Sequence, residues 1–280
     1  MRRRNIRPTK QTLHNGFVLS ISRFSRLDFS SLLPYCATMR IPITKYGLPQ
    51  AALYPAIILT AMVLYAVLFR LVIKPHCQCA VLGHITLWLP ELLLFIVLVW
   101  VLAFFRDPLR RVPDDPLTLL SPADGTIAAV EILDRCDGFD GPVLRIEIFL
   151  SIFNVHINRM PCRVRIGKIH YKPGRFLDAR SPECSKINEA NEIEMFRLDE
   201  PNDRLLVRQI SGAIARRIVC QAKTDEICQA GQRFGMIKFG SCTELYAPAR
   251  PSLQCRVQKG DKVKAGLTVL GRYEHSSENK

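Results

Sequence analysis

The hydrophobic pattern changes character near residue 105. Residues 51–105 are almost continuously apolar, whereas beyond Arg106 apolar residues come in short β-branched runs separated by Gly, Pro and Asp. As a helix, the first apolar run, residues 51–73, is long enough to cross the ~30 Å hydrocarbon layer, which takes about 20 residues at 1.5 Å each. The second, residues 81–105, is interrupted by Pro90 and Glu91, both costly at a bilayer centre, so it is expected to span with a kink or to lie partly in the interface. The short connection 74–80 predicts a helical hairpin. Two such runs standing together favour membrane helices over the buried helices of a soluble core.

Downstream, residues 125–133, 143–149, 162–171, 205–211, 213–222, 235–239, 243–247 and 268–273 read as strands. Their spacing, with few long helical patterns, predicts a mainly β (α+β) fold: an antiparallel β sandwich or barrel-like domain with minor helices. A weak internal echo relates Ile227 and Gly231 to Val257, Gly260, Val263 and Gly266 and has the look of a carrier-type barrel, although Gly-Asp turns between valines are common in any β domain. Three segments follow: a basic extension over 1–38 outside the fold, a membrane-anchoring helical hairpin over 39–105, and a β domain over 106–280.

Charge sharpens the membrane reading. Residues 1–105 hold 11 Lys/Arg against 2 Asp/Glu, and residues 106–280 hold 28 against 23, so most of the +14 net charge lies beside the apolar runs. Arg40 and Lys45 on one flank, with Arg106, Arg110 and Arg111 on the other, place both hairpin ends and the β domain on the cytoplasmic side of the cell (inner) membrane. Nucleic acid is disfavoured as a partner, because no helix-turn-helix, finger or aromatic stacking motif accompanies the basic residues. Residues 1–38 lack the apolar segment of a secretory signal; they are either a transit segment or an over-extended start before Met39. The ten cysteines contain no C-x-x-C pair, so they are expected to be mostly small buried hydrophobes in a reducing compartment, with no metal site.

Three stretches could carry chemistry. In Ser121-Pro122-Ala123-Asp124-Gly125 a Pro-led turn delivers an Asp to the mouth of a strand, although an Asp before Gly is more often only a turn-former. In Asn154-Val155-His156-Ile157-Asn158-Arg159 a histidine sits among apolar residues, where most histidines are merely satisfied core groups. Its ordinary pKa of ~6.5 nevertheless lets it take and return a proton, and Asp124 could orient it. The third, Arg233-Phe234-Gly235-Met236-Ile237-Lys238-Phe239-Gly240-Ser241-Cys242, reads by itself as a strand ended by a glycine turn. Together the three supply orienter, base and nucleophile in the order Asp124, His156, Ser241.

With Lys172-Pro173-Gly174-Arg175-Phe176, Asn188-Glu189-Ala190-Asn191-Glu192 and Gln209-Ile210-Ser211-Gly212 followed by Ala215-Arg216-Arg217, these motifs form an ordered set. The set resembles the phosphatidylserine decarboxylase family, in its short, archaeal-type branch, over roughly residues 39–273. The Met-Arg-Ile-Pro stretch at Met39 is similar to family N-termini and favours the over-extended-start reading.

The resemblance implies a pyruvoyl-dependent proenzyme. Ser241 Oγ attacks the Gly240 carbonyl, which no Cβ shields, with His156 held by Asp124 as base. The cut between Gly240 and Ser241 leaves a pyruvoyl group at residue 241, no metal being involved. That ketone is expected to form a Schiff base with phosphatidylserine, which loses carbon dioxide and leaves as phosphatidylethanolamine, His156 returning the proton. Two positions depart from the pattern of long-form relatives. Arg159 stands where they carry a second His, and is a candidate for binding the substrate's phosphate or carboxylate. Cys242 follows the scission serine, where its thiol could add to the ketone. The large and small fragments should stay associated, with room for a homo-oligomer, and removal of residues 39–105 should spare self-cleavage while lowering activity on vesicles. The alternatives are an uncleaved, non-catalytic membrane-tethered β module, adaptor or carrier-like, and a pyruvoyl decarboxylase of a soluble amino acid.

Overall fold

The computed structural model of the protein describes residues 43–76, 80–178, 181, 183–213, 217–238 and 240–274. The extension 1–38, Met39, Arg40, Cys77, Cys79, Ala215, Arg216 and Phe239, all part of the sequence reading, lie outside the described residues. From Pro42 onward the chain forms one compact unit.

The chain enters through a short 3-10 turn, Lys45–Gly47, whose Tyr46 N–H is capped by the Thr44 hydroxyl. Helix α1 (Leu48–Leu68) follows with a proline in its first turn, where a missing N–H costs nothing. A π-helical stretch, Phe69–Ile73, and the single turn α2 (Lys74–His76) continue it, and α3 (Ala80–Phe104) returns alongside α1. Helix α3 runs unbroken through Pro90, so the interruption read from sequence does not divide it. Segments Lys45–His76 and Val81–Phe104 each have a mean hydropathy of 2.5 with only 6% and 11% of their apolar windows buried. Such exposure is the reverse of a soluble core helix, which hides its apolar face.

The rest is mainly β, and every pairing between named strands is antiparallel. The strands are β1 (Thr118–Leu120), β2 (Gly125–Leu133), β3 (Val143–Leu150), β4 (Ile157–Arg159), β5 (Val164–Lys172), β6 (Ala190–Arg197) and β7 (Arg204–Ile210). They continue with β8 (Arg217–Cys220), β9 (Ile227–Cys228), β10 (Arg233–Lys238), β11 (Ser241–Pro248), β12 (Leu253–Cys255), β13 (Lys262–Val263) and β14 (Val269–Tyr273). One short helix, α4 (Cys184–Ile187), precedes β6. Eight strands form one sheet in the order β13-β2-β3-β11-β7-β6-β5-β9, and two three-stranded sheets, β1-β14-β12 and β4-β10-β8, complete the fold. Val263 on one edge strand of the large sheet and Cys228 on the other meet in a single core with Ile146, Ile148, Leu150, Val207 and Leu245. The sheet therefore curls around its apolar face.

Strict alternation builds that face. In β3, Ile146, Ile148 and Leu150 point inward while Arg145 and Glu147 point away, and β6 and β7 alternate in the same way. Strand β6 is absent from the sequence reading because Glu192 and Glu194 break up its apolar run. Those acids lie on the outer face, paired with Arg208 at 2.7 Å and Arg204 at 2.8 Å, an arrangement that stabilises neighbouring strands. Among the described cysteines, Cys162, Cys184, Cys228 and Cys242 are buried and all are free thiols.

Candidate active site

The Gly240-Ser241 junction lies where the chain leaves one sheet for another. Strand β10 ends at Lys238 between β4 and β8, and β11 starts at Ser241 between β3 and β7. Gly240 bridges them with φ +61°, a left-handed conformation in which glycine escapes the penalty other residues meet. A Cβ there would lie 3.8 Å from its nearest neighbour, Ile152, so the backbone conformation, and not lack of room, calls for glycine. The Ser241 side chain is wholly buried and its hydroxyl has no hydrogen-bond partner.

Strand β4 pairs with β10, Ile157 opposite Met236, which carries His156 to the end of β10. Its ring is fully buried. Nδ1 lies 2.9 Å from the Asn154 carbonyl oxygen and so carries the proton, while Nε2 accepts the Gly240 N–H at 3.3 Å. The Asn154 side chain in turn accepts the Ser151 N–H at 2.9 Å and closes the turn that presents this carbonyl. The Phe104 ring, from the last turn of α3, covers the imidazole at 4.4 Å between centroids. Burial lowers the His156 pKa to about 4, against a smaller upward pull from the Asn154 carbonyl. The histidine is therefore neutral near pH 7, with a basic nitrogen one residue before Ser241.

Asp124 does not hold this ring. Both its oxygens are taken by Arg110, at 2.6 and 2.7 Å, and one also accepts the Ala265 N–H at 2.8 Å. The expected orienting carboxylate is thus replaced by a backbone carbonyl, and Asp124 acts on His156 only as a nearby charge that favours protonation. Arg110, one of the basic residues on the expected cytoplasmic flank, has a side chain only 6% exposed and is committed to Asp124. Arg106 is also engaged, donating to the Ala103 and Phe153 carbonyls at 2.7 Å each. Of the three flanking arginines only Arg111 is exposed.

Arg159 is likewise occupied. It donates to Gly231 O (3.1 Å), Asp107 (3.2 Å) and Pro108 O (3.1 Å), and Asp107 also takes Arg233 at 2.8 Å. A Cβ on Gly266 would come within 3.3 Å of Gly231 Cα and 3.1 Å of Arg159 Cδ. The two echoed glycine turns therefore close on this arginine, which clamps the exit of α3 to the β domain, while its Nε is buried without a hydrogen-bond partner.

Cys242 faces away from the junction. Successive residues of a strand point to opposite faces, and Cys242 packs with Ala190, Ile210 and Phe149, its Sγ 3.6 Å from Glu147. Burial holds its thiol well above the ordinary pKa. Addition to a ketone at residue 241 is disfavoured on both counts.

A layer of buried amides lies on the junction's own face. Asn158 donates to the Thr243 hydroxyl at 3.2 Å and to Pro122 O at 3.4 Å, and accepts from Gln209 at 2.9 Å, which accepts from Asn191 at 3.1 Å. Asn158, Gln209 and Asn191 stand in three separate motifs of the sequence, and only the sheet register brings them together.

By fold and site the protein is a mainly β chain organised around a buried glycine–serine junction with a neutral histidine against it. Residues 97–271 match the family model for phosphatidylserine decarboxylase. The chain is 44% identical over 190 residues to the phosphatidylserine decarboxylase proenzyme of Carboxydothermus hydrogenoformans, covering 68% of this chain and 87% of that protein. It is also 44% identical over 185 residues to the proenzyme of the same name from Desulfotalea psychrophila, covering 65% and 85%. A third, from Chlorobium chlorochromatii, is 37% identical over 213 residues, covering 72% and 96%. The chain belongs to the phosphatidylserine decarboxylase family.

Proposed function

We infer that the protein is a phosphatidylserine decarboxylase proenzyme that cuts itself between Gly240 and Ser241, and that residue 241 becomes a pyruvoyl group. The observation that carries this is the buried, unpartnered Ser241 hydroxyl beside a left-handed Gly240 whose N–H is held by neutral His156. Burial without a partner typically costs a hydroxyl about 1–3 kcal/mol, a cost tolerated where the group has work to do. The oxygen attacks Gly240 C, and the chain shifts from amide to ester. Loss of the residue 241 α-proton expels the Gly240 carboxylate and leaves a dehydroalanine, and water then releases ammonia. His156 Nε2 is the nitrogen suited to take the hydroxyl proton.

The resulting ketone supplies an electron sink for decarboxylation of an amine substrate. In this reading His156 Nε2 takes a proton from the substrate ammonium as it condenses and returns it to the substrate carbon after carbon dioxide leaves. Its depressed pKa keeps the ring neutral between turnovers.

The hairpin explains how a lipid reaches the site. At 1.5 Å per residue, Val81–Phe104 is about 36 Å long, enough to cross the hydrocarbon layer. Exposed Leu109 and Phe153 near its base favour contact with the same interface, and the basic flanks favour the cytoplasmic side of the cell membrane. Two acyl chains could then stay in the bilayer while the head group enters.

Intact mass spectrometry of purified protein tests the reading, with Ser241→Ala as control. Two fragments meeting at residue 241 are expected from the natural chain and one from the variant. A single unbroken species from both would overturn it.

A further inference from the structure

The polar atoms around the junction fall into two rows on the curled face of the large sheet. In the inner row Thr243 pairs in register with Gln209, and Gln209 with Asn191. With Asn158 these side chains form the hydrogen-bonded chain described above, and none of them contributes an unpaired buried atom. The row two residues further out is different. Ser241 is opposite Leu150, and one step beyond the Cys242–Ile210 and Ile210–Ala190 pairs the register sets Ser211 between Ser241 and Glu189. The Ser211 N–H donates to Glu189 O at 2.9 Å, so the ladder continues to this point. Ser241 Oγ, Ser211 Oγ and Glu189 Oε2 are each buried without a hydrogen-bond partner. Residues opposite one another in such a ladder point to the same face with Cβ atoms about 4.5–5.5 Å apart, so the three orphan atoms share one stretch of floor.

Their chemistry selects a ligand. Glu189 is 7% exposed, its other oxygen accepts the Tyr171 hydroxyl at 2.9 Å, and no Lys or Arg among the described residues pairs with it. A buried carboxylate oxygen without a counter-charge calls for a cationic donor. The outer face of the same sheet shows the contrast, since buried Glu244 there has Arg145 at 2.6 Å and Arg208 at 3.3 Å.

We propose that Glu189 and Ser211 form the amine end of the head-group site, Glu189 Oε2 receiving the ammonium of the incoming serine head group and Ser211 Oγ acting as its second acceptor beside position 241. This rests on the decarboxylase reading and deepens it. It makes Glu189 a selector for amine-bearing lipids, distinct from the groups that cut the chain. Lipids with the same phosphate but no amine gain nothing from it.

The test uses full-length protein in detergent micelles containing phosphatidylserine, with carbon dioxide release as readout. Fragment formation and the carbonyl at residue 241, titrated with a hydrazide, are measured first. Processed Glu189→Gln should show a KM raised about tenfold or more, as loss of a charge-assisted bond implies, with a much smaller change in kcat. Glu189→Asp should recover part of the loss, and Ser211→Ala should raise KM by a smaller factor. In wild type, phosphatidic acid should compete less well than phosphatidylethanolamine, and in Glu189→Gln that difference should shrink. A processed Glu189→Gln enzyme with wild-type KM overturns the proposal. If Glu189→Gln is not processed, Glu189→Asp decides on the same criterion; if neither is processed, Glu189 serves folding or self-cleavage and the proposal falls. Failure of the decarboxylase reading itself is seen separately, as a wild-type chain that neither splits nor releases carbon dioxide.

Discussion

A histidine enclosed by Phe104, the Asn154 carbonyl and the Gly240 amide is protonated less readily than one in water. Its folded pKa of about 4 lies below the unfolded value of about 6.5, so between those values the unfolded chain binds the extra proton. Stability from this group is complete above about pH 6.5 and falls as the pH drops through about 4, by up to about 3 kcal/mol. Urea titrations of the uncut Ser241→Ala protein from pH 7.5 to 4 should show that slope, and adding His156→Gln should flatten it; equal slopes would refute the assignment. Self-cleavage of the natural chain should likewise hold its rate from about pH 8 to 5 and slow toward pH 4, where the base becomes protonated. At Gly240, alanine has room for its methyl but not a favourable φ, at a cost of about 1–2 kcal/mol. Gly240→Ala is therefore expected to fold and to yield fragments more slowly, as read by timed gels after refolding.

At the scale of elements, the hairpin also covers the site. Its base, with Tyr46, Ala51, Val101, Phe104 and Phe105, packs against Val155, Ile157 and Met236, and Gln50 accepts from Lys238 at 3.0 Å. These contacts flank His156 and the end of β10. The sequence-based expectation that residues 39–105 can be removed without harm to self-cleavage is therefore revised. Deleting the whole segment should slow fragment formation at least tenfold, because it uncovers the imidazole, whereas replacing only the distal part, residues 60–97, with a short polar loop should spare cleavage and abolish vesicle flotation. Phe104→Ala isolates the contact, with an expected destabilisation of about 3–5 kcal/mol. Fragment gels and flotation assays on the three variants separate the covering role from anchoring.

Across the whole molecule, the cut would divide the large sheet and the β1-β14-β12 sheet between the two fragments without separating them, while β4, β10 and β8 all stay with the large one. Residues after 240 supply β11 to the interior of the large sheet, β13 to its edge, and β12 and β14 to one small sheet, while β10 stays with the large fragment. Each side of the junction is held by neighbours on both flanks. The two fragments should co-elute on native size exclusion after complete processing and part only in denaturant; separation without denaturant would contradict this architecture.

Composition and period were enough to mark the apolar hairpin, the mainly β character and most long strands, because membrane length and two-residue alternation are local properties. The set of ordered motifs likewise marked the junction, the histidine and the family. Partners were another matter. Asp124 looked like the orienter of His156 until the fold gave it Arg110, and Arg159 looked free until Asp107 and two glycine turns enclosed it. The Glu189, Ser211 and Ser241 row exists only through the register of β6, β7 and β11. One sequence states which groups are present; which charges meet, and which buried atoms stay unpaired, is decided when distant strands align, since hydrogen bonds and ion pairs depend on ångström-scale distances that chain order does not encode.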